Sequence, residues 1–464
     1  MLLGSCAPLT SPQTSLDLQH HPLDCRRFEQ IYASSQLTDD LTGGEPSGGA
    51  FSAHAAPSAK PRLSASTAAG RSNFAREGNA RPGASEHDTE NILILSGGAE
   101  WGAYGSGFLN GLYGGQRLAS NDETLRLRDF NRVTGISTGA IMATYTWAAI
   151  AQDRNHPDDP SNVWLEKLHA IYTYSDKDLF VREWPQIGYE VFSNGLLNPA
   201  GRLATKVEQG ATDAWPTLQA DRTTRVSVGS VNVLDGQFHT FDLVLMVGET
   251  PDRALSCYRE AILASSAIPL AFPPRFIDGE PFYDGGIQFL VYLDNLVDWM
   301  RTRERPPSHV NIRIIVNGNQ SPNDPGSDVQ QADDCDHVTV RARPNCAPVA
   351  NNLLGLEGSA KGLIPRVAED VMVYQLKKDS VYRIYNDWLN MIRDSNGQIH
   401  GTFRVTYIPN SQLRDSTSVG GSATPCEKPE GSTLEFDPVF EKCLYDIGVA
   451  KGRAGHWDFE SPPM

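Results

Sequence analysis

The first clear hydrophobic pattern lies in the stretch "NILILSGGAEWGAYGSGFLNGL", residues 91–112. Ile92 to Leu95 form a short continuous apolar run, which is typical of a buried parallel strand. Glycines follow this run, and Ala103, Phe108 and Leu112 then recur at roughly helical spacing. The pattern predicts a strand, a glycine-rich turn and a helix.

The same order of elements returns further along the chain. Val133 ends a short apolar run, residues 135–139 hold two glycines, and "AIMATYTWAAIA" reads as a buried helix. Further strands are predicted in "RVSVGSVNVL" and "FHTFDLVLMVG", which could pair, and in "VNIRIIVNG" and "FRVTYIP". Helices are predicted in "ALSCYREAILASSAIP", stopped before Pro269, and in the long stretch that begins "GLIPRVAEDVMVY". This alternation predicts an α/β fold with a mixed, mainly parallel sheet and helices on both faces.

The flanking segments differ in composition. Residues 1–40 are mixed and contain a short predicted helix around "LDCRRFEQIYAS". Residues 41–89 are rich in Gly, Ser, Ala and Pro, a composition that buries too little surface to fold and predicts a flexible linker. Residues 151–222 are polar and aromatic, and we expect them to cover the core. Residues 411–464 read as a tail that ends in a short helix.

The charge balance excludes one class of partner. Lys and Arg number 40 and Asp and Glu number 56, which gives a formal net charge of −16. Such a chain has no overall attraction to phosphate backbones, so nucleic acid is not an expected partner. Anionic lipid would also repel it unless a local patch or an anchor intervenes. The sequence contains no apolar run of about 18 residues that would span a membrane.

The extreme N-terminus resembles the end of a bacterial lipoprotein signal, with Leu3-Gly4-Ser5 before Cys6. A complete signal also needs a basic start and an apolar stretch of about 7–15 residues, and neither is present. Either the start is placed too late or the match is chance. We expect a membrane-associated lipoprotein lipidated on Cys6, with a soluble protein as the alternative.

The cysteine spacing suggests disulfides rather than a metal. Of the seven cysteines, Cys335 and Cys346 lie close together in polar surroundings, as do Cys426 and Cys443. Both placements fit loop-closing disulfides in an oxidising compartment, and free thiols are the alternative. No C-x-x-C spacing occurs, so a zinc site has little support and no metal is predicted.

The pattern G-x-S-x-G occurs once between a predicted strand and a predicted helix, as Gly135-Ile136-Ser137-Thr138-Gly139. In that position it forms a nucleophile elbow when the turn is tight enough to expose the serine hydroxyl. The glycines permit the tight turn. The alternative is a glycine-rich connection that contains an unreactive serine.

Two further segments contain suitable chemistry. In "SGGAEWGAYGSG", residues 96–107, the N–H groups of a glycine turn at a helix start suit an oxyanion. A phosphate loop is disfavoured there because the G-x-G-x-x-G spacing and the P-loop lysine are missing. In "PFYDGG", a short strand ends at Asp284, and Gly285 and Gly286 allow a sharp turn beside the carboxylate. A simple Asx-capped turn is the alternative.

These three motifs, in this order, resemble the patatin-like phospholipase family. That family has a glycine-rich oxyanion loop, then G-x-S-x-G, then D-G-[GA]. The resemblance extends over residues 90–410. It implies that these residues form a catalytic domain with a three-layer α/β/α fold. It also includes small and apolar residues before the aspartate: Ala264, Ser265, Ala267, Pro269, Phe272 and Pro273.

The resemblance implies a serine acyl hydrolase that cleaves lipid or phospholipid esters at a membrane surface, without cofactor or metal. Ser137 would attack the carbonyl, Asp284 would accept its proton, and the N–H groups of Gly97, Gly98 and Ala99 would hold the oxyanion. A buried carboxylate with a raised pKa suits this role. The sequence departs from the family pattern at Ala99, where a third glycine is usual, and at Trp101, where a basic residue is usual. The indole could offer an apolar surface to an acyl chain or could simply pack in the core.

Two other interpretations stay open at this point. An esterase with a Ser–His–Asp triad could draw its base from one of four histidines after the aspartate: His309, His337, His400 and His456. The chain could also be a non-catalytic lipid-binding protein that keeps the fold, for which the altered oxyanion loop is the support.

Overall fold

The computed structural model describes thirteen parts of the chain. They are residues 24–32, 89–116, 125–172, 181–182, 197–198, 202–269, 272–293, 306–318, 363–395, 399–409, 412–413, 426 and 436–459. Cys6, Cys335, Cys346 and the predicted linker up to residue 88 lie outside these parts. Lipidation at Cys6 and the Cys335–Cys346 pair therefore stay predictions.

The described residues form eleven strands and eight α-helices. The strands are β1 (Glu29–Ile31), β2 (Thr89–Leu95), β3 (Arg132–Gly135), β4 (Val181–Arg182), β5 (Leu197–Asn198), β6 (Arg225–Asn232), β7 (Phe238–Asp242), β8 (Arg275–Ile277), β9 (Glu280–Asp284), β10 (His309–Ile315) and β11 (Phe403–Thr406). The helices are α1 (Gly102–Gln116), α2 (Thr138–Asn155), α3 (Val163–Ile171), α4 (Arg202–Ala220), α5 (Leu243–Val247), α6 (Pro251–Ser265), α7 (Leu363–Asp394) and α8 (Pro438–Arg453). None of the helices in these parts is long and apolar enough to cross a membrane.

The central sheet has nine of the described strands in the order β1-β7-β6-β3-β2-β10-β11, with the β8–β9 hairpin attached to β6. The strands from β6 to β11 along this order are parallel, and β1, β7, β8 and β9 add antiparallel pairs at one side. The fold is therefore a mixed three-layer α/β/α arrangement with a parallel centre, as the sequence predicted.

Strand β2 shows how the two helical layers are filled. Ile92 and Ile94 point into a core with α7, whereas Leu93 and Leu95 point into the larger core with α1 and α2. All four side chains are fully buried. Burial on both faces explains why β2 reads as a continuous apolar run instead of an alternating one.

Helix α4 lies within residues 151–222, the predicted covering segment. Its buried positions recur every three or four residues and pack toward α2 and α6; they include Leu203, Val207, Ala211, Ala214 and Leu218. This is the pattern of an amphipathic helix with one apolar stripe. A role for this segment as a cover over a site stays a prediction.

Helix α8, in the predicted tail, packs along α1 through small residues. A Cβ added at Gly107 would lie 2.1 Å from the carbonyl oxygen of Tyr445, and one at Gly111 would lie 2.2 Å from that of Val449. Gly448 on α8 approaches the carbonyl of Tyr104 equally closely. The two backbones therefore meet at a distance that only glycine allows, and this part of the tail belongs to the packed core.

The first described segment is not the predicted helix. Cys25–Phe28 form one 3-10 turn, and Glu29–Ile31 then continue the sheet as β1 beside β7. A disulfide joins Cys25 to Cys257 on α6, a pairing that the sequence did not indicate. The partner strand β7 also ends earlier than "FHTFDLVLMVG" suggested, because the Asp242 side chain accepts the Leu245 N–H group and starts α5.

Candidate functional site

Ser137 occupies the turn between β3 and α2, with backbone angles φ 56° and ψ −124°. A positive φ is rare for a residue with a side chain and marks a strained turn. The flanking glycines are required by close approach: a Cβ at Gly135 would lie 2.3 Å from the Gly139 carbonyl oxygen, and one at Gly139 would lie 2.2 Å from that of Leu95. The motif therefore has the geometry of a nucleophile elbow.

Strand β6 brings Asp284 next to this elbow. Along one edge, β6 pairs with β7. Along the other edge, residues 225–228 pair with β3, and residues 230–232 pair with β9. Strand β9 thus continues where β3 ends, and its last residue, Asp284, lies just beyond the turn that contains Ser137.

The carboxylate of Asp284 is almost fully buried, with 3% of the residue exposed. Its Oδ1 atom accepts the Gly286 N–H group at 2.7 Å, and the Ser137 hydroxyl also donates to it. Burial raises the pKa of Asp284 to about 7, against the lowering effect of the two hydrogen bonds. A carboxylate with such a pKa exchanges a proton readily at neutral pH.

The Asp-Gly-Gly turn is equally constrained by its surroundings. A Cβ at Gly285 would lie 2.6 Å from the Gly229 carbonyl oxygen, and one at Gly286 would lie 3.0 Å from the Asp284 Oδ1 atom. Both glycines therefore let the chain turn tightly around the carboxylate. The Gly286 N–H group is the donor that the turn directs at Asp284.

The glycine loop after β2 lies against Ser137, since a Cβ at Gly97 would be 3.2 Å from the Ser137 Cβ atom. The Gly97 N–H group, which the sequence predicts as an oxyanion donor, donates to the Leu290 carbonyl at 3.1 Å in this structure. The N–H groups of Gly98 and Ala99 make no hydrogen bond to another described residue. Ala99 adopts φ 47°, so a side chain is accommodated in the left-handed conformation that the loop requires.

Asn317 holds the glycine loop in place and is a residue that the sequence did not single out. Its backbone N–H donates to Ser96 Oγ, and its side-chain Nδ2 donates to the Ser96 carbonyl, both at 2.7 Å. A Cβ at Gly98 would lie 1.9 Å from the Asn317 carbonyl oxygen. A polar residue directly after a buried parallel strand was the available signal, because such strand ends line ligand sites.

Trp101, where the family pattern has a basic residue, contacts another helix of the fold. Trp101 is half-buried and packs edge to face against Phe440 of α8, with ring centroids 5.5 Å apart. Its contact is therefore part of the core packing between the glycine loop and α8.

Cys426 and Cys443, predicted as a disulfide, are joined in the structure and connect residue 426 to α8.

Three of the four histidines considered for a triad are described, and they lie away from Ser137. His309 is exposed at the start of β10, and His400 pairs with it. Because β10 runs parallel to β2, both histidines lie at the end of the sheet where these strands begin. The glycine loop follows the opposite end of β2. His456 is exposed beyond the end of α8, with its Nε2 atom 3.6 Å from Asp458, and His337 lies outside the described residues. The group that contacts the Ser137 hydroxyl is the Asp284 carboxylate.

The fold and these three loops define an α/β/α protein with a nucleophile elbow and an adjacent buried aspartate. Residues 93–296 match the family model described as patatin-like phospholipase. No curated protein matches the chain. Among solved structures, VipD from Legionella pneumophila is similar at 14% identity and a TM-score of 0.25. That likeness covers 53% of this chain and 52% of the VipD chain, so it spans about half of each.

Proposed function

We propose that the protein is a serine acyl hydrolase that cleaves carboxylic esters of lipids, of phospholipase A or lysophospholipase type, through a Ser137–Asp284 dyad. The observation that carries the proposal is the hydrogen bond from the strained Ser137 to a buried carboxylate whose pKa is about 7. The match of residues 93–296 to patatin-like phospholipases supports a lipid ester as the substrate.

In the first step, the Ser137 Oγ atom bonds to the ester carbonyl carbon while its proton moves to Asp284. The carbonyl oxygen becomes an oxyanion, and the N–H groups of Gly98 and Ala99 are the donors that we assign to it. Oriented donors of this kind contribute about 3 kcal/mol to an acyl-transfer transition state. Their position in a loop braced by Asn317 keeps them fixed before the substrate arrives.

In the second step, the bond between the carbonyl carbon and the leaving oxygen breaks, and protonated Asp284 gives its proton to the departing alcohol. The product that stays behind is an acyl ester of Ser137. Water then attacks this ester, loses a proton to Asp284 and releases the fatty acid, and the proton returns to Ser137. The dyad ends the cycle in its starting state, so one acidic group serves as base and then as acid.

The test is hydrolysis of a panel of lipid esters presented in mixed micelles, with two active-site variants and two matched controls. Ser137→Ala and Asp284→Asn should each lower kcat at least about 1,000-fold, because each removes one partner of the chemical step. Ser395→Ala and Asp153→Asn change a serine just after α7 and a buried aspartate at the end of α2 far from Ser137, and both should keep near wild-type rates.

A panel in which both site variants keep wild-type rates would reject the dyad. A serine-reactive fluorophosphonate adds an independent readout, since it labels only an activated serine. Failure of the folded wild-type protein to label at Ser137 would favour the non-catalytic lipid-binding alternative. Association with a membrane surface and anchoring at Cys6 are part of the same proposal, and flotation with neutral vesicles, compared between the wild type and Cys6→Ser, tests them.

A further inference from the structure

The short segment Ser265–Ala267, at the end of α6, contacts both members of the proposed dyad through its backbone. The Ser137 N–H group donates to the Ser265 carbonyl at 3.0 Å, and the Asp284 N–H group donates to the Ala267 carbonyl at 2.9 Å. The last carbonyls of a helix have no partner within the helix. The Ser265 carbonyl, at the end of α6, is one such acceptor and receives the Ser137 N–H group, whereas the Ala267 carbonyl, two residues beyond the helix, receives the Asp284 N–H group.

The two serine side chains of this segment add contacts on both sides of the Ser137 residue. Ser265 Oγ accepts the Ser137 N–H group at 3.1 Å and donates to the Gly229 carbonyl at 2.6 Å. Ser266 Oγ lies 3.1 Å from the Ser137 carbonyl and 3.0 Å from that of Ile262, so its proton is shared between them. The backbone of Ser137 is therefore held at both its donor and its acceptor.

These contacts meet a specific need of the elbow. A residue with a side chain keeps a strained positive φ only where its surroundings fix it. Gly229 precedes Ser230, which lies opposite Asp284 in the β6–β9 pairing. The Ser265 hydroxyl thus connects the Ser137 backbone to the strand that sets the position of Asp284.

We propose that Ser265 and Ser266 are positioning residues that set the alignment of Ser137 with Asp284. The inference rests on the proposed function, because it concerns the same dyad. Neither serine touches the reacting atoms; each acts through the backbone of Ser137. Because Ser265–Ala267 accepts a hydrogen bond from each partner, this segment links the backbone of Ser137 to that of Asp284.

The experiment measures labelling of Ser137 by a fluorophosphonate in the full-length protein, with the saturating rate and the half-saturating concentration determined separately. In this reaction, Ser137 Oγ bonds to phosphorus, fluoride leaves and the serine proton passes to Asp284. Ser266→Ala should lower the saturating rate about 10-fold with an unchanged half-saturating concentration, because misalignment affects the chemical step and not binding. Ser266→Thr keeps the hydroxyl and should restore most of the rate.

Two further variants keep the result interpretable. Ser265→Ala removes the hydroxyl that accepts the Ser137 N–H group, and it should lower the saturating labelling rate by a similar factor. It replaces Ser266→Ala if that variant does not fold. Ser395→Ala removes a serine that also donates to a backbone carbonyl at a helix end, that of Ile392 at 2.6 Å, and it should label at the wild-type rate. Wild-type labelling rates in both Ser266→Ala and Ser265→Ala would overturn the proposal, as would equal losses in Ser395→Ala.

The labelling assay separates this inference from the proposed function. A wild-type protein that labels at Ser137 but hydrolyses no lipid ester refutes the substrate class, and the rates of the serine variants still decide the positioning role. Labelled wild type together with unaffected serine variants refutes only the positioning role. A wild-type protein that does not label refutes both.

Discussion

The raised pKa of Asp284 predicts that the site weakens the fold at neutral and alkaline pH. Burial moves this pKa from 3.8 to about 7. In the unfolded chain the carboxyl loses its proton near pH 4, whereas in the folded protein it keeps it until about pH 7. The free energy of unfolding is therefore unaffected at pH values below 3.8, the pKa of Asp284 in the unfolded chain. It falls as pH rises from there toward about 7, the pKa of Asp284 in the folded protein. This change in the pKa of Asp284, from 3.8 to about 7, corresponds to a loss of about 4 kcal/mol of stability above pH 7.

Asp284→Asn removes this effect because an amide does not ionise. The amide oxygen can still accept the Gly286 N–H group, so the turn keeps its contact. The free energy of unfolding of Asp284→Asn should exceed that of wild type. The difference between the two should grow by about 3 kcal/mol from pH 4.5 to pH 8. Urea unfolding of both proteins at pH 4.5, 6 and 8 measures this amount, and the slope with urea concentration checks that the unfolded state is unchanged.

The control is Ser137→Ala, which removes the proposed nucleophile but leaves the buried carboxyl in place. Its stability difference from wild type should not grow in favour of the variant as pH rises. The reasoning is refuted if Asp284→Asn shows a difference that is constant with pH, or one that shrinks toward pH 8. Either result would mean that the Asp284 carboxyl ionises in the folded protein as readily as in the unfolded chain.

Three further predictions concern activity and the covalent frame. The kcat/KM for a lipid ester should rise with pH through a single ionisation near 7, since Asp284 must be unprotonated to accept the serine proton, and a flat profile from pH 5 to 9 would contradict this. Gly98→Ala places a Cβ 1.9 Å from the Asn317 carbonyl oxygen at φ 150° and should reduce kcat about 100-fold, whereas Gly236→Ala, in an open turn, should leave kcat unchanged. Cys25→Ser should lower the free energy of unfolding by about 2–5 kcal/mol through loss of the bond to Cys257, and an unchanged urea midpoint would contradict it.

The sequence predicted the centre of the molecule well, because the features there are local. Strand β2 and the segment before α2 are short apolar runs between glycines, and both patterns report burial directly. Ser137 and Asp284 were found because each lies where a strand ends beside a glycine. Their mutual contact is a property of the order of strands in the sheet, which no local pattern contains.

The sequence could not show which N–H groups of the glycine loop are left without a partner among the described residues of the fold. Gly97 and Gly98 look equivalent in "SGGAEW", yet the first donates to Leu290 and the second does not. That difference depends on a segment nearly 200 residues further along the chain. The acceptance of Ala99 at a positive φ is likewise decided by the loop conformation and not by residue type alone.

The elements at the periphery of the fold were harder to predict from sequence, because their structure also depends on distant parts of the chain. Glu29–Ile31 form a strand because the edge of β7 is available to them, and "RRFEQIY" by itself is equally compatible with a helix. The glycines at 107, 111 and 115 repeat every four residues, as do those at 448 and 452. This spacing was a usable signal for the close packing of α1 on α8, and it makes the last helix part of the domain.

The Cys25–Cys257 bond also determines what a protease would produce from this chain. Every peptide bond between Tyr32 and Thr89 lies inside the covalent ring that this disulfide closes. A cut there would give a two-chain molecule with a light chain that contributes β1 and a heavy chain that contains Ser137 and Asp284. Under oxidising conditions the two chains would stay joined. After reduction, the light chain would be retained only by its pairing with β7 and by contacts such as that between Arg26 and Glu280, 2.8 Å apart.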